Sequence, residues 1–218
     1  MLEKERITPQ HAAAMVKDGM TVMIGGFMAV GTPEMIINAL VASGVRNLTI
    51  IANDSGFTDR GIGKLVVNKQ VKKIIASHIG LNPETGKQIS RGELEAELVP
   101  QGTLVERIRA GGAGLGGVLT RTGLGTVVAD GKQQVVIAGR PWLLEPPLQA
   151  DIALIRCSEA DLAGNAVFNK TAKNFNPIMA TAARVVIAEC ESIVPMDCGA
   201  ADRYHTPGIF IDYLVQGE

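Results

Sequence analysis

Asp18-Gly19-Met20-Thr21-Val22-Met23-Ile24-Gly25-Gly26-Phe27-Met28-Ala29-Val30-Gly31-Thr32-Pro33 joins an apolar run, a glycine loop and a helix start in one segment. Met20 to Ile24 has the length and character of an inner β-strand. Gly25, Gly26 and Gly31 let the backbone turn sharply and approach a neighbour with no Cβ in between. Thr32 reads as an N-cap and Pro33 as the first helical residue. Met35, Ile36, Ala39 and Leu40 continue a helix that Ser43-Gly44 should end. The free N–H groups and dipole at such a helix start favour an anion, typically a phosphate or carboxylate.

Around that segment the composition narrows the possibilities. At 218 residues the chain suffices for one good-sized core, and 1–218 reads as a single domain. Hydrophobic residues make up 46% but aromatics only 4%, so the core is built from Val, Ile, Leu, Ala and Met, which suits α/β layers rather than a β-sandwich. A net charge of −1 without a run of like charge argues against nucleic acid and anionic membranes, leaving small molecules or protein as partners. Cys157, Cys190 and Cys198 show no paired spacing and read as free thiols in a reducing cytosol. The charged start Met1-Leu2-Glu3-Lys4-Glu5-Arg6 lacks an apolar h-region, and no stretch reaches the length of a membrane span. The expectation is a soluble, cytoplasmic protein.

Thr8-Pro9 opens a short helix through Val16, and Leu48 to Ala52 and Lys73 to Ser77 are further apolar strands. The strands end in Gly25-Gly26, Asn53-Asp54 and Ser77-His78, which in an open parallel sheet line a common crevice. Asn82 to Gly86 reads as a turn, and Glu93 to Val99 alternates strictly, putting Glu93, Glu95 and Glu97 on one wet face. A helix over Leu104 to Arg109 should end at Gly111-Gly112 and lead into a glycine-rich loop. Gln134 to Ala138 and Trp142-Leu143-Leu144 flank Gly139-Arg140-Pro141 as a hairpin. Ala150 to Arg156 and Arg184 to Ala188 are buried strands around a helix over Ala172 to Ala183, and a last helix follows Thr206-Pro207.

By residue chemistry alone the Gly25 to Gly31 loop suggests a phosphorylated or CoA-like ligand. It lacks the Lys-Ser/Thr ending of a P-loop and the dinucleotide spacing, and a generic glycine turn stays open. His78 reads as a structural, hydrogen-bonded histidine and Cys157 as packing. Lys72-Lys73, Arg107 and Arg109 read as solvated charge or subunit contacts. The three histidines and three cysteines form no metal-ligand cluster.

Asp18-Gly19, the apolar Val22 to Ile24, Gly25-Gly26-Phe27, Gly31 and Pro33 together resemble the signature of the α subunits of family I coenzyme A transferases, the 3-oxoacid type. The resemblance continues through Ile51-Ala52-Asn53-Asp54, Pro100-Gln101-Gly102-Thr103-Leu104, Glu106 to Gly114, Thr122 to Thr126 and Asn174-Phe175-Asn176-Pro177, nearly the whole chain. Within the family it is to short-chain enzymes that move CoA between acetoacetate and acetate or butyrate. It implies an open α/β sandwich with a mostly parallel sheet and an α2β2 heterotetramer with a β subunit. It also implies a ping-pong reaction through an acyl anhydride and a glutamyl-CoA thioester.

In that family the nucleophilic glutamate lies in a Glu-x-Gly motif of the β subunit. The local Glu84-Thr85-Gly86 reads instead as a surface turn. The resemblance assigns Gln101 as oxyanion donor, Asn53 as a contact to the substrate carboxylate, and Gly25, Gly26, Phe27, Met28, Ala29, Val30 and Gly31 to CoA, with no metal or prosthetic group. The loop packing on the β subunit, and the Gly111 to Gly117 loop closing over the acyl group, are further readings. Two rivals stand beside this one. A phosphosugar isomerase or deaminase needs an in-chain base that the sequence does not supply. A non-catalytic CoA-binding subunit would gain no activity from a β chain.

Overall fold

The chain begins with β1 (Glu5–Arg6) and α1 (Pro9–Met15), which Thr8 opens by accepting the His11 N–H at 3.1 Å. A computed structural model describes residues 3–196 and 202–217; Cys198 lies outside them. β2 (Thr21–Ile24), α2 (Glu34–Ser43), β3 (Leu48–Ile51), α3 (Gly63–Val67), β4 (Val71–Ala76), α4 (Pro83–Ser90), β5 (Glu95–Leu98) and α5 (Gln101–Gly112) follow in strict alternation. Then come β6 (Val118–Thr120), β7 (Gln134–Ile137), β8 (Arg140–Glu145), β9 (Ala150–Asp161), β10 (Ala166–Val167), α6 (Asn176–Met179), β11 (Ala183–Val194) and β12 (Tyr213–Gln216).

Among the described residues the main sheet runs β1-β12-β11-β9-β2-β3-β4-β5, with every one of these pairings parallel and β10 added antiparallel to β9. This is the open, mostly parallel α/β arrangement expected from the sequence. Successive side chains of a strand point to opposite faces, and both faces are apolar. Val22, Ile24, Ile50, Ile74, Ile152 and Leu154 pack with α1 to α3, while Met23, Ile51, Ile75, Ala153 and Ile155 pack with α5 and α6. Burial on both sides explains why these strands read as continuous apolar runs.

Several local readings are corrected. Asn82 to Gly86 is the start of α4 rather than a surface turn, because Asn82 accepts the Glu84 N–H at 3.0 Å and Pro83 takes the first helical position. No single helix spans Ala172 to Ala183. A 3-10 turn at Lys170–Lys173 and the short α6 replace it, since the Asn174 and Asn176 side chains bond to backbone carbonyls and break the run. After Thr206-Pro207 a 3-10 turn, Gly208–Phe210, leads into strand β12, which fills the place between β1 and β11. α5 includes Gln101 and keeps Gly111 and Gly112 inside it, where a Cβ would overlap the Leu148 carbonyl and the Thr181 side chain. The hairpin turns at Ala138-Gly139, both at positive φ, so β8 already starts at Arg140.

β6, β8 and β7 form a separate antiparallel sheet that an ionic cluster joins to the main body. Arg107, 5% exposed, is not solvated as its sequence setting suggested. It donates to Glu97 Oε1 and to the Pro146 carbonyl, each at 2.8 Å, and lies 4.0 Å from fully buried Glu145. Lys132 reaches the other Glu145 oxygen at 2.6 Å. The strand face of Glu95 and Glu97 is likewise paired, through Lys73. Burial opposes ionisation of Glu97, but Arg107 and Lys73 outweigh it and hold the carboxyl below its ordinary range.

Removing one member of a buried charge cluster strands the others. Arg107→Ala is expected to lower stability by about 3 to 5 kcal/mol, seen as a fall in urea midpoint at unchanged slope; a midpoint shift near zero would remove the cluster from the structural account.

Candidate functional site

Each central strand ends where its apolar run ends, and the polar residues that follow meet at the carboxyl edge of the sheet. Asn53-Asp54 follows β3, Ser77-His78 follows β4, the glycine loop follows β2, and Gln101 opens α5 just after β5. Hydrogen bonds tie these ends together. Gln101 Nε2 donates to Asn53 Oδ1 at 2.7 Å. Ser77 Oγ donates to the Asn53 carbonyl at 2.7 Å and lies 3.1 Å from its Oδ1. Asn53 Nδ2 donates to Asp54 Oδ2 at 2.8 Å, and the Met28 N–H of the glycine loop donates to the same oxygen at 2.8 Å. The two amides singled out in the sequence are therefore in contact, and both connect to the loop.

They differ in access. Asn53 is 2% exposed and sits behind Gln101, whose side chain faces solvent. Among the described residues Gln101 makes no other side-chain hydrogen bond, so its second N–H stays available.

The glycine loop is a tight reversal in which Phe27 and Val30 exchange backbone hydrogen bonds across Met28 and Ala29. Both central residues have positive φ, 49° and 64°, a conformation that costs about 1–2 kcal/mol per non-glycine residue. Neighbouring side chains hold it. Asn174 accepts the Gly26 N–H at 3.2 Å and donates to the Val30 carbonyl at 3.0 Å, and Asn176 donates to the Gly31 carbonyl at 2.9 Å. A Cβ at Gly25 would overlap the Asn176 amide and one at Gly26 the Thr32 hydroxyl. Gly25, Gly26 and Gly31 are thus buried against their own chain, whereas Phe27, Met28 and Val30 are exposed and Ala29 is half-buried.

The anion expected at the helix start is supplied by the protein. Pro33, not Thr32, is the N-cap of α2 and makes no side-chain cap. Instead Glu189, 3% exposed on β11, accepts the Ile36 N–H at 3.0 Å. Burial raises the Glu189 carboxyl above its ordinary value against the pull of the Ile36 and Met35 N–H groups and Arg156, with Glu34 nearby adding to the rise. In the loop the five N–H groups of Gly25, Gly26, Phe27, Met28 and Val30 are all engaged within the protein. The loop presents an apolar crest on an open groove of about 700 Å³ lined by Phe27, Met28, Val30, Phe57, Arg60, Thr171 and Asn174, with the Arg60 guanidinium 4.3 Å over the Phe57 ring.

The other residues considered lie apart from this chemistry. His78 pairs its backbone with Asp54, and its ring is exposed without a hydrogen bond among the described residues, so it is not the hydrogen-bonded histidine expected. Cys157 is buried with its Sγ 3.2 Å from that of Cys190, and that contact together with burial pushes its thiol well up. Glu84 accepts Gln88 Nε2 at 3.1 Å within the first turns of α4. Among the described residues no group of three or more His, Cys, Asp or Glu is arranged for a metal, and no helix is long and apolar enough to cross a membrane. Sequence reasoning placed Asp54 and Ser77 at the common crevice without giving either a role, and Asn174 and Asn176 entered only through the family resemblance. The Asn-Phe-Asn-Pro order, a helix-breaking pattern, was the available signal for the last two.

Residues 6–217 match the family described as coenzyme A transferase. The acetate CoA-transferase subunit alpha of Escherichia coli (strain K12) is 51% identical over 214 residues, covering 98% of this chain and 97% of that one. The acetoacetyl-CoA:acetate/butyrate CoA transferase alpha subunit of Clostridium acetobutylicum is 55% identical over 207 residues, 95% of each chain. Among solved structures, an acyl-CoA transferase from E. coli O157:H7 in a thioester complex with CoA shares the fold with a TM-score of 0.91 at 23% identity, over 99% of this chain and 47% of that one. Glutaconate coenzyme A-transferase from Acidaminococcus fermentans does so with a TM-score of 0.84 at 20% identity, over 98% and 75%.

The buried Glu189 has a pH signature. A carboxyl whose folded pKa is raised binds more protons folded than unfolded, so its contribution is full below the unfolded value near 4.5 and is lost as pH rises through the folded pKa. Glu189→Gln keeps an acceptor for the Ile36 N–H without the charge. The variant should lose that downward slope of stability above pH 4.5, measured as the difference in unfolding free energy from wild type across pH; parallel curves would contradict the assignment.

Proposed function

The chain belongs to the coenzyme A transferase family, and we propose that it is the α subunit of an enzyme moving CoA between acetoacetyl-CoA, or another short acyl-CoA, and acetate or butyrate. The observation that carries the site assignment is the Gln101 to Asn53 contact of 2.7 Å at the sheet's carboxyl edge, beside the glycine loop. In the ping-pong reaction a glutamate attacks the thioester carbonyl, CoA thiolate leaves, and an acyl-glutamyl anhydride forms. The thiolate then attacks the glutamyl carbonyl, releasing the first acid and leaving glutamyl-CoA. The acceptor acid runs the same steps in reverse. Each attack places negative charge on a carbonyl oxygen.

Gln101 supplies a fixed neutral donor to that oxygen through its second N–H, typically worth ~3 kcal/mol in the transition state. Asn53 supports that donor from behind, with contact to the substrate carboxylate confined to its second Nδ2 hydrogen. The segment Gly25 to Gly31 meets CoA through the exposed crest of Phe27, Met28 and Val30 with Ala29, while Gly25, Gly26 and Gly31 pack inward. An apolar crest suits the pantetheine arm or acyl chain rather than the phosphates.

The nucleophile comes from the β subunit of an α2β2 assembly. Supporting this, Asp54 is the carboxylate bonded into the amide cluster, and its oxygens already accept the Asn53 Nδ2, Met28 and Gly56 donors. Glu84 is held in α4 instead. Residues 1–218 act as one domain in the cytoplasm, where Cys157 and Cys190 remain thiols despite their contact.

The test is CoA transfer from acetoacetyl-CoA to acetate by this chain alone, the β subunit alone and the pair. Activity is expected in the pair only, with borohydride or mass labelling trapping CoA on a β-chain glutamate. Activity of this chain alone would overturn the division of the site. In the pair Gln101→Ala should lower kcat by about 100-fold with assembly kept, and Glu84→Gln should leave turnover unchanged; unchanged kcat in the first would sink the donor role.

A further inference from the structure

We propose that Asp54 is a positioning residue that fixes the donor polarity of Gln101 through Asn53 and, with the same carboxylate, holds the strained glycine turn; this rests on the reading of Gln101 as the oxyanion donor. An ionised carboxylate can only accept hydrogen bonds. Asp54 is 5% exposed and its three hydrogen-bond partners all donate. Asn53 Nδ2 and the Met28 N–H reach Oδ2, each at 2.8 Å, and the Gly56 N–H reaches Oδ1 at 2.9 Å. Nothing in that set can receive a proton from Asp54.

The consequence runs outward through two amides. The Asn53 amide has to turn its NH2 to Asp54, so its Oδ1 faces Ser77 and Gln101. An oxygen in that place orders the Gln101 amide in turn: its NH2 faces Asn53 at 2.7 Å, and its second hydrogen emerges at the same end, toward the open side. Without the carboxylate each amide could turn over, and Gln101 would present a carbonyl lone pair, which repels a developing oxyanion. The bond to the Met28 N–H joins the loop to this chain of amides. Met28 and Ala29 hold φ of 49° and 64°, and such strain persists only where surrounding contacts over-determine it. One buried carboxylate therefore sets both the donor and the apolar crest beside it.

The experiment is a double-mutant cycle in the complex with the β subunit, using Asp54→Asn, Gln101→Ala and the two together, with kcat and KM measured for acetoacetyl-CoA and acetate. Asp54→Asn keeps shape and size but can donate as well as accept. It should lower kcat by about tenfold or more, with KM changed much less, and add no further loss on the Gln101→Ala background, because groups that act as a unit are non-additive. Losses that multiply, or an unchanged kcat in Asp54→Asn, would overturn the proposal. Neutron diffraction from crystals of the wild-type complex tests it without any assay and without a variant that has to fold. Deuterons are expected on the Asn53 amide end facing Asp54 and on the Gln101 end facing Asn53; the reverse placement at either amide would overturn it. A wild-type complex without CoA transfer would refute the functional reading, while the deuteron positions still decide the polarity set by Asp54.

Discussion

A parallel sheet covered on both faces is apolar along most of each strand and gathers its polar residues mainly at the strand ends, and this constraint organises the molecule. Within β2, β3, β4 and β9 alternate apolar side chains enter one core or the other, which leaves few positions between the strand ends open to solvent. Asn53, Asp54, Ser77 and the glycine loop all occur within a few residues of where an apolar run stops. Parallel register then brings those stops to one edge. The Asp54 to His78 and Ser55 to His78 backbone contacts extend the β3/β4 pairing by just enough to align Asn53 with Ser77.

The polar atoms at that edge satisfy one another before any ligand arrives. The loop's backbone N–H and C=O groups, the start of α2 and the Asn53 amide each carry hydrogen-bonding groups that would be costly if buried unpaired. Asn174, Asn176, Glu189 and Asp54 take them up. Facing outward are a glutamine N–H, an apolar crest and an open groove. A carboxylate with three donors makes a rigid support and a poor nucleophile, which agrees with a divided site.

The antiparallel β6-β8-β7 sheet depends on a different interaction. Arg107 reaches across from α5 to Glu97 on β5 and to the Pro146 carbonyl beyond β8, with Glu145 and Lys132 completing the cluster. Because α5 also carries Gln101 at its first turn, the same helix links this sheet to the amide pair. Val127, Val136 and Ile137 stay exposed on this part of the surface.

The sequence by itself determined the strand segments and the αβ order, because apolar periodicity and Gly, Pro and capping signals act over a few residues. Gln101, Asn53 and the CoA contact of the glycine loop came through the family resemblance. The sequence alone misjudged Asn82 to Gly86, Ala172 to Ala183 and the segment after Pro207, where side chains and strand partners distant in the chain decide between turn, helix and strand. Only the tertiary structure showed that Glu189 caps α2, that Arg107 is buried, and that the Asp54 carboxylate accepts from both the Asn53 amide and the loop. Those are contacts between residues 10 to 153 positions apart, or between chemically self-complementary neighbours whose orientation depends on them. Hydrogen-bond direction in such a cluster is a property of the closed network, and no local pattern in the chain contains it.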